Sequence, residues 1–97
     1  MLERQQKISN QFDMLANNYS DIKKKNEFYY KHLLLAIRRH VGEVLHPILE
    51  IGCGAGDILN HISSAPGLGL DISGKMVEIA KINYPLHEFQ CQALGEI

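Results

Sequence analysis

Tryptophan is absent from the 97 residues, cysteine occurs twice and proline three times. Two cysteines, Cys53 and Cys91, cannot build the dense disulfide framework of a small secreted domain. No CxxC pair or His–Cys cluster offers the spacing of a structural zinc site. Long apolar runs are missing too. The longest, residues 33–37, has five residues, far short of the roughly 20 that span a bilayer as a helix. The opening stretch MLERQQKISNQF is polar and charged where a signal peptide carries an apolar core. Neither sign of charge dominates: ten Lys+Arg stand against eleven Asp+Glu. That balance lacks the electrostatic footprint of a non-specific nucleic-acid or membrane binder. No repeat or low-complexity segment is present. The expectation is a cytoplasmic protein with neither nucleic acid nor membrane as partner.

What is there reads as globular. Hydrophobic residues make up 45% and charged residues 22%, ordinary proportions for one small folded domain. The first half has helical periodicity. Ile8, Phe12, Leu15 and Tyr19 recur at spacings that place them on one helical face. A break is expected around residues 17–21, and Lys23, Lys24 and Lys25 read as a solvated face or loop. Asn26 is positioned to cap a second helix over residues 27–41. Its apolar stripe is Tyr30, Leu33, Leu34, Ile37 and Val41, and Gly42 supplies the stop.

The rhythm changes after Pro47. Residues 48–51 read as a strand, followed at once by Gly52-Cys53-Gly54-Ala55-Gly56. A short helix is predicted over 57–63, a second strand over 68–71, and a helix over 74–83 capped by Ser73. Tyr84-Pro85 stops that helix, and 88–92 read as a third strand. Strand, helix, strand, helix, strand is the signature of a parallel sheet with right-handed crossovers. Residues 1–45 thus read as a helical lid or cap segment, and 46–97 as a partial, three-stranded half of a doubly wound sheet.

Chemistry concentrates at Glu50, the glycine loop and Asp71. A strand that turns sharply into a helix needs glycine where φ is positive, and glycine lets a ligand approach the backbone. The following helix start offers unpaired N–H groups. Asp71, at the end of the second strand, falls beside the loop, where a carboxylate accepts hydrogen bonds from ribose hydroxyls. The dinucleotide fingerprint is G-x-G-x-x-G. Here the third glycine comes one residue early, and Asp57 sets a negative charge where a pyrophosphate would lie. Carboxylates around the loop suit a ligand with a positive end, such as S-adenosylmethionine, which carries a sulfonium and an ammonium and no phosphate.

Ile48-Leu-Glu-Ile-Gly-Cys-Gly-Ala-Gly-Asp57 resembles the first motif of class I S-adenosylmethionine-dependent methyltransferases. Gly69-Leu-Asp-Ile-Ser73 and Met76-Val-Glu-Ile-Ala80 resemble the segment that follows it there. Phe12-Asp13, Ala16 and Tyr19 resemble that family's lead-in. Residues 24–30 resemble a bacterial subgroup, some of whose members are fused to glycosyltransferase domains. The resemblance implies an α/β, Rossmann-like methyltransferase fold, of which this sequence supplies the N-terminal half only: two leading helices, then βαβαβ. It implies that Glu50, Gly52, Cys53, Gly54 and Gly56 line the methionine portion of S-adenosylmethionine. Asp71 binds the ribose, Ile72 packs on the adenine, and Tyr19 sits over the cofactor in a lid.

Two departures stand out. Where the family's third strand is followed by an acidic residue, this sequence has Gln92 and Ala93. The later strands that orient the methyl acceptor are not in the sequence, so no catalytic base is assigned. The expectations are a truncated cofactor-binding part not active alone, an unidentified acceptor, and a homodimer or completion by another chain. The alternatives are a non-catalytic cofactor-binding or dimerisation module and, less favoured, a nicotinamide-dinucleotide domain. Elsewhere, Cys53 reads as a small loop filler, Cys91 as core, the five histidines as surface residues, and Tyr29 and Tyr30 as helix packing. Asp13 and Asp21 read as solvated or capping.

Overall fold

The computed structural model describes residues 2–42, 44–93 and 95. Among these the order is α1 (Glu3–Asn17), α2 (Tyr19–Lys25), α3 (Glu27–Val41), β1 (Leu49–Ile51), α4 (Asp57–Ile62), β2 (Leu68–Asp71), α5 (Gly74–Asn83) and β3 (Glu88–Cys91). The strands form one parallel sheet in the order β1-β2-β3. The architecture is mixed α/β, as the alternating periodicities predict, and is compatible with a Rossmann-like arrangement.

Register explains where the core sits. Glu50 pairs with Gly69 and Gly69 with Phe89, so these three residues share one sheet face. Phe89 packs there with Leu59 of α4 and with Val77 and Ala80 of α5. Both crossover helices therefore cover the same face. The space between them and the sheet is tight. A Cβ at Gly69 would lie 2.7 Å from the Phe89 ring and 2.8 Å from Cys53 Sγ. The opposite face is partly bare. Leu49 and Ile51 of the edge strand β1 are each 54% exposed, although parallel sheets are normally covered on both sides.

The cover contains three helices, not the two predicted. Asn18 (φ −114°, ψ 20°) and Asn26 (φ −106°, ψ 19°) each leave helical geometry for a single residue and so cut out the short α2. The lysine run lies inside that helix. Lys24 and Lys25 are exposed, whereas Lys23 pairs with Asp57 at 3.0 Å. The Asn26 side chain does not cap α3; its Nδ2 donates to the Ile22 carbonyl at 2.9 Å and closes α2 instead. Along α3 the expected stripe is only half-buried, and Val41 is exposed. The reason is its neighbour: α3 packs on α4, which at six residues is too short to cover it.

The α1 helix packs on α5 through small and polar groups. Ser9 and Ala16 are its buried residues. Ser9 Oγ donates to the Ile72 carbonyl at 3.1 Å, and Asp13 accepts the Ser73 hydroxyl proton. Ser73 in turn accepts the Met76 N–H at 3.2 Å, the predicted cap of α5. Ser73 is fully buried, so Ser73→Ala removes the cap and leaves Asp13 without that donor. A loss of about 1–2 kcal/mol is expected, read as a lowered urea midpoint at unchanged m-value.

Three other expectations are corrected. His87 is buried, not on the surface; its Nδ1 accepts the Gly67 N–H at 2.9 Å, which fits the ring into the turn before β3. Cys91 is exposed, not core, because it ends the edge strand β3, past the Phe89 cluster. Tyr29 is exposed instead of packed, because it lies outside the stripe that faces α4.

Candidate functional site

The loop after β1 is held by the end of β2. The Gly52 and Cys53 amides both donate to the Leu70 carbonyl, at 2.7 and 3.0 Å. Gly52, Gly54 and Gly56 all have positive φ, as a sharp strand-to-helix turn requires. They serve different ends. A Cβ at Gly52 or Gly54 would meet nothing within 4 Å, so these two open the backbone toward space. At Gly56 it would lie 2.8 Å from the Phe89 ring; that glycine is needed for close packing under α4.

Asp71 fixes the loop from the other side. It is buried, and its Oδ2 accepts the Gly54 N–H at 2.8 Å. Its Oδ1 accepts the Ser73 N–H at 2.9 Å. A carboxylate offers about four acceptor sites, so each oxygen retains capacity for a further donor.

Loop and carboxylate open onto a pocket of about 560 Å³, within the usual size range of small-molecule sites. Of the sequence-predicted residues, Tyr19, Gly52, Cys53, Gly54, Asp71 and Ile72 line it. Glu50 and Gly56 do not: Glu50 points toward the face covered by α4 and α5, and Gly56 is enclosed by Phe89 and Tyr84. The opposite wall is apolar and comes from the cover: Phe12 and Leu15 of α1, Ile22 of α2 and Tyr30 of α3. The helical face of Phe12, Leu15 and Tyr19 thus looks into the pocket and not into a core. Gln92, just past β3, also lines it.

Electrostatics around the loop are acidic. Burial above all pushes the Glu50 carboxyl up to about 7, with Asp71 and Asp57 adding to the rise and the Leu59 backbone N–H offsetting part of it. Glu50 Oε1 is buried without a hydrogen-bond partner among the described residues. Burial, followed by the charges of Asp71 and Glu50, pushes the Cys53 thiol up to about 12. It stays protonated near neutrality and cannot serve as a thiolate nucleophile.

Sequence reasoning placed Asp57 at the loop as a negative charge but missed its partners. Its carboxylate, at the start of α4, accepts the hydroxyl protons of both Tyr19 and Tyr84 and pairs with Lys23 at 3.0 Å. The Tyr19–Lys23 spacing of one helical turn was the available signal, but the partner lies 34 residues away in sequence.

No group of three His, Cys, Asp or Glu side chains able to hold a metal occurs among the described residues. No helix among them is long and apolar enough to cross a membrane. The sequence matches no protein-family model, and no curated protein matches it significantly.

Proposed function

We propose that this chain is the S-adenosylmethionine-binding part of a class I, Rossmann-like methyltransferase that passes a methyl group to an unidentified acceptor. The observation that carries the proposal is the meeting of the open glycine loop and Asp71 at one pocket. The residues present fit the cofactor's charge. Asp57 and Asp71 line the pocket, Glu50 lies behind the loop, and the nearby cation Lys23 is engaged by Asp57. A ligand with a sulfonium and an ammonium is favoured there.

Each residue has a role on this reading. The backbone at Gly52, Cys53 and Gly54 holds the methionine portion, and Gly56 keeps the turn tight from below. Asp71 uses its remaining lone pairs for the ribose hydroxyls, and Ile72 packs on the adenine. The resemblance places the adenine-reading residue at Ala93, which has no acidic group; the neighbouring Gln92 lines the pocket and offers an amide in its place. Tyr19 belongs to the lid. Glu50 acts on the ligand's cation through charge, from behind the loop. The bound cofactor supplies an activated methyl on a good leaving group, so the protein's share of the chemistry is orientation and exclusion of water. The exposed Leu49 on the edge strand β1 supports association with a second copy or another polypeptide.

A dinucleotide is disfavoured by Asp57. The start of α4, where a pyrophosphate would lie, presents this carboxylate already surrounded by its own donors. Calorimetric titration with S-adenosylhomocysteine tests the proposal, with Asp71→Ala and Asp71→Asn as controls and NADH as the competing ligand. Binding to the parent chain is expected, weakened at least about tenfold in both variants through loss of charge-assisted hydrogen bonds. A folded parent chain that binds NADH and not S-adenosylhomocysteine would sink it.

A further inference from the structure

The cover over the pocket is anchored unevenly. At one end, α1 is tied to α5 and to the β2 end by Ser9, Asp13 and the Lys75–Asn17 hydrogen bond of 3.1 Å. At the other, α3 is tied to α4, with Arg38 donating to the His61 carbonyl. Between them α2, seven residues long, has no fully buried residue, as α3 has none; Tyr19, Ile22 and Lys23 are half-buried. This helix is bounded by the helix breaks at Asn18 and Asn26, and element-terminal residues of this kind are where hinges absorb backbone rotation. Among the described residues, its polar ties to the sheet half run to one carboxylate: Tyr19 and Lys23, one turn apart on the same side of α2, both bind Asp57. Tyr19 and Ile22 from this helix, and Asp57 itself, line the pocket.

We propose that α2 is a strap across the pocket, latched by Asp57, that swings on Asn18 and Asn26 to admit and release ligand. The structure shows the latched form. The inference does not depend on which ligand the pocket takes. Short elements without a fully buried residue are among those that open locally at low free energy, and here the Asp57 carboxylate adds the polar restraint to the partial burial of Tyr19 and Ile22. Tyr84 strengthens the latch by donating to the same carboxylate from the α5–β3 connection. The phenols of Tyr19 and Tyr84 are both held above their ordinary range, by burial first and by the Asp57 hydrogen bond second.

Hydrogen exchange on the intact chain without ligand tests this. The strap-side variant Tyr19→Phe with Lys23→Met leaves α4 untouched; Asp57→Asn attacks the latch from the other side. In both, amides of residues 19–25 are expected to exchange about tenfold faster, with residues 68–71 and 74–83 unchanged. Three results would overturn the proposal: unchanged exchange at 19–25 in the strap-side variant, exchange there already as fast as in an unstructured peptide in the parent chain, or acceleration spread equally through β2 and α5. Failure to bind S-adenosylhomocysteine leaves this experiment unaffected, so the two proposals fail separately.

Discussion

Gly56→Ala is expected to destabilise the chain by about 3–4 kcal/mol, from left-handed backbone strain and overpacking together. Gly56 has φ 85° and ψ 8°, left-handed geometry. The added Cβ would also stand 2.8 Å from two carbons of the Phe89 ring and 3.2 Å from Tyr84 Cδ2. Phe89 is wedged among Leu59, Val77 and Ala80, so the ring cannot withdraw without opening the core. Against a total stability of roughly 5–15 kcal/mol for a chain of this length, that loss is large. Gly54→Ala is the internal comparison. It carries the strain of φ 54° with open space around the new methyl, and about 1–2 kcal/mol is expected. Urea unfolding of the two variants separates the causes. Equal losses at the two positions would show that Phe89 moves aside and that packing contributes nothing at Gly56.

Glu50→Gln is expected to make stability less dependent on pH and to make ligand affinity less so as well. Burial raises the folded-state Glu50 carboxyl from 4.5 to about 7. The folded chain therefore binds the proton more tightly than the unfolded chain. Stability from this group is present below the unfolded value and is lost as pH rises through about 7. Undiscounted, the gap corresponds to about 3 kcal/mol; the residue is only half-buried, and solvent screening reduces this to about 1–2 kcal/mol between pH 4 and 8. Glutamine keeps the shape and abolishes the titration, so the variant should gain stability relative to the parent at pH 8 and not at pH 4. Affinity for S-adenosylhomocysteine, whose ammonium favours the ionised carboxylate, should run the other way and tighten several-fold from pH 6 to 8 in the parent. A parent chain equally stable at both ends of the range, with Glu50→Gln matching it throughout, would show that Glu50 titrates normally.

Much of the sheet half was legible because its signals are local. Gly52, Gly54 and Gly56, all at positive φ, follow directly on a short strand, and Ser73 sits one residue before its helix. The βαβαβ order follows from these, and the parallel pairing follows from the crossovers. The cover was less legible. A run of three lysines carries no local mark distinguishing a loop from a helix face, and the break at Asn18 depends on a single residue's backbone. Misplaced side chains share one cause. His87, Cys91 and Val41 were judged by residue type and periodicity, but burial depends on which neighbouring element is long enough to cover them.

The candidate site divides in the same way. The amino-acid order alone determined that a glycine loop ends one strand and a carboxylate ends the next, and parallel pairing must bring those two ends together. Only the tertiary structure decided that Glu50 lies behind the loop and that Gly56 answers to Phe89. It alone turned Phe12 and Leu15 toward a pocket and gathered Tyr19, Lys23 and Tyr84 around Asp57. Backbone conformation at a turn is set by the few residues that form it. The solvation and partners of a side chain are set by elements that sequence separation keeps apart and folding brings together.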